Sequence, residues 1–105
     1  MTGCVLGKDA DLDLDEIWEY IAADDVAAAD RWIGKLFDAF EALGKDPGMG
    51  HKRGDLTDYA VLFWPVGNYL IIYRTVSPSA PVEIVAVTQG SRDIPSYLQR
   101  RSSGE

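Results

Sequence analysis

The sequence predicts an α+β fold with the element order β-α-α-β-β-β, in which a helical hairpin packs on one face of a small antiparallel sheet. Two observations predict it. The first half of the chain repeats its apolar residues with the period of a helix, and the second half contains aromatic and β-branched runs separated by turn residues. Because 105 residues suffice for one hydrophobic core and not for two, we expect a single domain over residues 1–105.

The first helix is expected from about Asp13 to Ala23. Its apolar stripe consists of Leu14, Ile17, Trp18 and Ile21. Asp13 is followed three residues later by Glu16, which is typical of a capping box with Asp13 as the N-cap. The stripe must pack against another element.

A second, longer helix is expected from about Val26 to Lys45, after Asp24 and Asp25 interrupt the first period. Its apolar face consists of Ala29, Trp32, Ile33, Leu36, Phe40 and Leu43. Pro47 and Gly48 mark its end, because proline does not continue a helix and glycine accepts the turn that follows one. The two helices therefore form a hairpin.

Four strands complete the prediction. A short one spans Cys4 to Gly7, and two aromatic-rich runs, Tyr59–Trp64 and Tyr69–Val76, form a hairpin about residues 65–68. The last strand spans Val82 to Thr88. It is expected to place Ile84 and Ala86 on one face of the sheet, and Val85 and Val87 on the other. Both faces are then at least partly covered.

Acidic residues are concentrated in the first half of the chain. Residues 9–46 contain twelve acidic and three basic residues, and the net charge of the chain is −7. Such a surface disfavours nonspecific binding to nucleic acid, because affinity for phosphates comes from Lys and Arg. A basic partner suits it, although twelve acids also suit the solvated faces of two helices.

The sequence predicts a cytoplasmic protein. No apolar run approaches the roughly 20 residues of a membrane span, and the N-terminus lacks the pattern of a secretion signal. Cys4 is the only cysteine, so it forms no internal disulfide, and we expect it to be a small apolar residue of the first strand. No metal or cofactor is expected.

Motifs of known catalytic centres are missing from the sequence, and His51 is its only histidine. The candidate cationic residues are Lys52, Arg53, Arg74, Arg92, Arg100 and Arg101, which we expect to gather at one end of the sheet. Arg92 is the strongest candidate, because it follows a strand and its guanidinium suits a carboxylate or phosphate. An internal ion pair of Arg92 with Asp93 or Glu83 is the alternative. For Arg74, inside a strand, a structural ion pair is favoured.

The aromatic residues divide by position. Trp18 and Trp32 lie on the apolar stripes of the helices and are expected in the core. Trp64 and Tyr97 are candidates for exposed anchors of an interface, where aromatic side chains contribute much of the binding energy.

Five short motifs together resemble the toxins of the ParE/RelE superfamily. They are Asp13-Leu14-x-Glu16-Ile17-Trp18, Ala28-Ala29, Pro47-x-x-Gly50, Tyr69-Leu70-Ile71-Ile72-Tyr73-Arg74 and Gly90-Ser91-Arg92-Asp93. The resemblance covers Val5 to Leu98 and implies the same order of elements. It also implies a type II toxin-antitoxin pair, in which a ParD-like antitoxin holds the toxin inactive and alone contacts DNA. Gln89 departs from the superfamily, many members of which have His there.

The superfamily implies two alternative activities. ParE-type toxins inhibit DNA gyrase without covalent chemistry, whereas RelE-type toxins cleave messenger RNA in the ribosome with basic, Tyr or His residues. The acidic composition favours the ParE type. A degenerate homologue that binds antitoxin without toxicity is a third alternative.

The resemblance assigns candidate residues to each role. The candidates for contact with gyrase are Arg92, Tyr97, Arg100 and Arg101. The candidates for antitoxin binding are Trp18, Trp32, Phe37 and Trp64. The candidates for the alternative nuclease are His51, Lys52, Arg53, Arg74 and Arg92.

Overall fold

Two helices pack on one face of a four-stranded sheet in the computed structural model, which describes residues 3–57, 59–77, 79–90, 94, 95 and 98. The elements in chain order are β1 (Cys4–Leu6), α1 (Lys8–Ala22), α2 (Val26–Lys45), a 3-10 turn (Pro47–Met49), β2 (Leu62–Val66), β3 (Tyr69–Arg74) and β4 (Val82–Gln89). This confirms the predicted α+β class. Neither helix combines the length and apolarity needed to cross a membrane in the part of the chain described.

The strand order in the sheet is β1-β4-β3-β2. The three strands of the second half pair antiparallel, as predicted, while β1 lies parallel to β4 and makes the sheet mixed. A parallel neighbour requires a crossover connection, and the helical hairpin is part of the connection that leads from β1 toward β4. The first and last strands therefore lie side by side.

Helix α1 begins at Lys8, with Gly7 as its N-cap, so the predicted start at Asp13 is wrong. Asp9 and Asp11 in the first turn favour this earlier start through the helix dipole. Asp13 instead points into the core, where it is 6% exposed and its Oδ2 accepts a hydrogen bond of 2.9 Å from the Val87 amide.

Helix α2 spans Val26–Lys45, which confirms the predicted bounds. Asp25 is its N-cap, and the Asp25 carboxylate accepts a hydrogen bond of 3.1 Å from the Ala28 amide. The main core fills the space between both helices and the sheet. It consists of Ala10, Leu14, Ile17, Leu36, Phe40, Leu43, Tyr69, Ile71, Tyr73, Val82, Ile84 and Val87.

A second cluster covers the opposite face of the sheet, as predicted, and consists of Phe63, Ile72, Ala86, Ile94 and Leu98. Ile84 and Ala86 thus belong to different faces, so the predicted strict alternation along β4 is wrong. The register shifts between Ile72, opposite Ala86, and Tyr73, opposite Ile84. The extra residue, Val85, forms a bulge that reverses the alternation beyond it.

The β2–β3 turn is shorter than predicted, and β2 starts later. Pro65 and Val66 belong to β2, and only Gly67 and Asn68 connect it to β3. Gly67 has a φ of 59°, a conformation that glycine adopts without strain, and it allows a two-residue turn.

Candidate binding surfaces

An open cleft of about 520 Å³ lies at the end of the sheet formed by the β2–β3 turn. It is lined by Tyr20, Gly67, Asn68, Tyr69, Gln89 and Gly90. The Gly90 amide donates a hydrogen bond of 2.9 Å to the Asn68 carbonyl, which attaches the chain after β4 to the turn. The lining side chains are phenols and carboxamides, so the described part of this cleft is polar and uncharged.

Aromatic side chains pack against the β2–β3 turn that lines the cleft. A Cβ on Gly67 would lie 2.5 Å from the Trp32 ring, so the turn rests directly on that indole. Trp32 contacts Tyr69 edge-on, with ring centroids 5.4 Å apart, and Lys35 Nζ lies 4.8 Å from the Trp32 ring. Burial, and then the nearby Tyr20, raise the pKa of Tyr69. The Tyr69 phenol is therefore neutral at pH 7.

The outer surface of the helical hairpin carries exposed aromatic and apolar side chains among carboxylates. Trp18 is 36% exposed, and its indole Nε1 donates a hydrogen bond of 2.9 Å to Asp30 Oδ1 across the two helices. Phe37 and Val26 on α2 are 48% and 54% exposed. This surface combines apolar area with negative charge, which suits a basic amphipathic segment.

The expectation that both helix tryptophans lie in the core holds for Trp32 and is wrong for Trp18. Trp32 is half-buried against the main core. Trp18 lies on the side of α1 that faces α2 rather than the sheet, and its ring edge reaches solvent. Trp64, a candidate interface anchor, is half-buried against the main core.

Arg74, one of the described cationic candidates, lies at the end of the sheet away from the cleft. Arg74 ends β3, opposite Glu83 at the start of β4, whereas Gln89 ends β4 beside the cleft. The six residue-to-residue steps from Glu83 to Gln89 span roughly 20 Å at about 3.3 Å per step. Antiparallel pairing places Arg74 at the far end of the sheet.

Two of the arginines are held in ion pairs. Arg74 pairs with Glu83 across the two strands, as favoured from its position in a strand. Arg53 forms two hydrogen bonds with Asp55, of 2.9 and 2.7 Å. Hydrogen bonding to Arg53 lowers the pKa of Asp55, so the pair stays charged on both sides at neutral pH.

His51 lies outside β2 and has a structural role. Its amide and carbonyl form hydrogen bonds of 2.9 and 2.8 Å with Phe63, and its ring lies nearly parallel to that of Trp64, with centroids 6.4 Å apart. Lys52 is exposed beside it. Among the described nuclease candidates, Arg53 and Arg74 are in ion pairs, and His51 is held by its backbone hydrogen bonds to Phe63.

The remaining candidates, Arg92, Tyr97, Arg100 and Arg101, lie outside the described residues. The chain enters residues 91–93 directly from the cleft at Gly90. Among the described residues, no group of three or more His, Cys, Asp or Glu side chains has the arrangement of a metal site.

The sequence interpretation missed Tyr20 and Asn68 in the cleft. Tyr20 is 72% exposed and occupies a polar position of α1, and Asn68 belongs to a turn. Neither position carries a sequence signal for a site, because the cleft exists only where α1, the turn and β4 meet.

Comparison with solved structures finds the same fold. The chain superimposes on a chain of the chromosomal ParDE TA system from P. aeruginosa with a TM-score of 0.69, 15% sequence identity, and coverage of 85% of this chain and 96% of that one. No curated protein matches the chain. This chain and the P. aeruginosa chain therefore share one fold.

The sequence also matches a family model, described as ParE toxin of type II toxin-antitoxin system, parDE, over residues 5–94. The match runs from β1 through β4 to the buried Ile94. The chain belongs to the ParE toxin family.

Proposed function

We propose that this protein is the toxin of a type II pair, that it inhibits DNA gyrase by binding rather than by catalysis, and that a ParD-like antitoxin neutralises it. Membership of the ParE family supports gyrase as the target. We favour binding over cleavage because the described candidate arginines are held in ion pairs. Arg53 and Arg74 are neutralised by Asp55 and Glu83, and Arg74 lies at the end of the sheet away from the cleft.

A ribonuclease of this fold would need cations close together to stabilise the charge that develops on phosphorus. Arginines that are neutralised by neighbouring carboxylates do not meet that need. The cleft at the end of β4 and the residues that follow it, including Arg92, are the proposed contact with gyrase.

The test is expression of the chain alone in bacterial cells while labelled precursors are followed into DNA and into protein. We expect DNA synthesis to fall first, and purified protein to block supercoiling of relaxed plasmid by gyrase. An earlier fall in protein synthesis, with cleaved transcripts, would replace this proposal by the RelE-type activity. If neither falls, the protein is a non-toxic antitoxin-binding homologue.

Arg92 is tested by Arg92→Ala, with Lys52→Ala as the matched control. Both substitutions remove one cation, but Lys52 lies beside His51 and away from the cleft. We expect at least about a tenfold loss of gyrase inhibition for Arg92→Ala alone, because charged hot spots at interfaces contribute on the order of 2 kcal/mol or more. Urea unfolding of both variants establishes that each one is folded.

The antitoxin is proposed to bind the outer surface of the helical hairpin. Of the four antitoxin candidates, Trp18 and Phe37 are the more exposed, and the Asp30 carboxylate is bonded to the Trp18 indole. We expect Phe37→Ala to weaken binding of the purified antitoxin about tenfold in calorimetry. Val76→Ala is the control, since Val76 is 68% exposed and lies beyond β3. Equal affinities for both variants would exclude Phe37.

A further inference from the structure

The two edges of the sheet differ in what they offer to another chain. An edge strand presents unpaired amides and carbonyls, and a partner segment binds there by adding a strand. In this sheet the edges are β1 and β2. Their hydrogen-bonding groups decide which of them accepts a partner.

The β2 edge is closed. The amide and carbonyl of Phe63 point away from β3 and are both bonded to His51. Backbone groups alternate along a strand, so the next outward position is Pro65, which has no N–H to donate. Neither outward position of β2 therefore offers the donor and acceptor that an added strand requires.

The β1 edge is open. The Gly3 carbonyl accepts from the Val82 amide and the Gly7 amide donates to the Ile84 carbonyl, each at 2.9 Å, so these positions face β4. By the same alternation, the backbone groups of Cys4 and Leu6 face outward. Within the described residues, their amides and carbonyls have no hydrogen-bond partner, and Val5 between them is 50% exposed.

Helix α2 borders this edge with an apolar and an acidic side chain. Gly44 packs so closely on Gly3, the residue before β1, that a Cβ there would lie 2.8 Å from the Gly3 carbonyl carbon. Glu41 and Phe37 precede Gly44 on the same face of α2, and both are exposed. Phe37 and Glu41 are one turn apart, about 6 Å, which is close to the roughly 6.6 Å between alternate residues of a strand.

We propose that β1 receives an extended segment of the antitoxin, paired through Cys4 and Leu6, with an apolar side chain on Phe37 and a basic one, two residues away, on Glu41. This inference rests on the proposed function. The carboxylate of Glu41 selects the basic residue, and the twelve acids of residues 9–46 favour such a segment over an acidic one. In an antitoxin segment that runs parallel to β1, the basic residue precedes the apolar residue in the sequence. In a segment that runs antiparallel to β1, the basic residue follows the apolar one.

Amide hydrogen exchange with purified cognate antitoxin tests the pairing. In the free protein we expect the amides of Cys4 and Leu6 to exchange rapidly and those of Val5 and Gly7 slowly. In the complex, Cys4 and Leu6 are expected to slow at least about tenfold. If the antitoxin binds in calorimetry but these two amides still exchange rapidly, the inference is overturned and the proposed function stands. If no antitoxin binding is detected, both fail.

The side-chain half of the inference is tested with Glu41→Gln, and Glu16→Gln is the matched control. Both substitutions remove one exposed carboxylate from a helix, and Glu16 lies on α1, away from β1. We expect Glu41→Gln to weaken the antitoxin about tenfold at low salt and the control to change its affinity less than about twofold. Equal effects would show only a general charge attraction and would overturn the assignment of Glu41.

Discussion

Asp13 is a buried carboxylate at the point where α1 takes the place of β1 as the neighbour of β4. Strand β1 ends at Leu6, so β4 continues beyond it without a strand neighbour on that side. Helix α1 then takes the place of β1, and the Asp13 carboxylate accepts the hydrogen bond of the Val87 amide. A buried amide without a partner costs roughly 1–3 kcal/mol, and Asp13 avoids that cost.

We expect Asp13→Ala to lower the free energy of unfolding by about 1–3 kcal/mol, because it leaves the Val87 amide buried and unpaired. Urea unfolding measures the change. Asp15→Ala is the control, since Asp15 is an exposed acid of the same helix, and we expect a change within about 0.5 kcal/mol. Equal losses for the two variants would contradict the role of Asp13.

At the scale of elements, the β2–β3 hairpin depends on the fit between its turn and α2. Gly67 supplies the positive φ, and its lack of a side chain allows Trp32 to lie against the turn. Trp32 in turn contacts Tyr69, the first residue of β3. The contacts of Trp32 with Gly67 and Tyr69 therefore join α2 to the β2–β3 hairpin beside the cleft.

Gly67→Ala is expected to destabilise the protein by more than about 1 kcal/mol, because a left-handed conformation alone costs roughly that much for alanine and the new methyl group collides with Trp32. The tryptophan fluorescence of the native state should change as well. In contrast, Gly34→Ala, where a Cβ meets nothing within 4 Å, should stabilise α2 by about 0.5–1 kcal/mol. Thermal unfolding of both variants checks the opposite signs.

The elements that the sequence predicts well are those with local signals. The bounds of α2 follow from its apolar period and from the proline and glycine after it. The predicted start of α1 is wrong because Asp13 fits the sequence pattern of an N-cap, although its carboxylate binds the Val87 amide of β4. The predicted faces of β4 are wrong because the bulge at Val85 has no sequence signal.

Most of the candidate binding surface also cannot be predicted from local sequence patterns. Phe37 and Trp18 lie on helices whose docking decides their exposure, and the open edge at β1 depends on pairing between opposite ends of the chain. By contrast, the ion pair of Arg74 was predictable, because a cation inside a strand needs a partner on the neighbouring strand.

At the scale of the whole molecule, Tyr73 joins the sheet to the loop that follows the helices. Its hydroxyl donates to the Pro47 carbonyl at 2.7 Å and accepts from the Gly50 amide at 2.8 Å. Burial raises the pKa of Tyr73 above its ordinary value of 10.0. The native state therefore holds the phenolic proton more tightly than the unfolded chain does, and this stabilisation is complete below pH 10 and is lost as the pH rises through the folded pKa.

Tyr73→Phe is expected to lower the free energy of unfolding by about 1–3 kcal/mol at pH 7, because it leaves the Gly50 amide and the Pro47 carbonyl without their partner. Above pH 10 the difference from the wild type should shrink, since the wild type then loses its own contribution from Tyr73. Urea unfolding at both pH values measures it. The exposed Tyr59, changed to Phe, should leave stability unaltered at pH 7.

The pairing of β1 with β4 also sets the stage of synthesis at which the sheet can be completed. Cys4 lies beside Val82, so the strand made first waits for the strand made last. At about 5–20 residues per second, that interval of 78 residues lasts roughly 4–16 s. Throughout it the backbone groups of β1 that will face β4 stay unpaired, and the main core lacks Val82, Ile84 and Val87. The sheet of the nascent chain therefore stays unfinished until β4 has been synthesised.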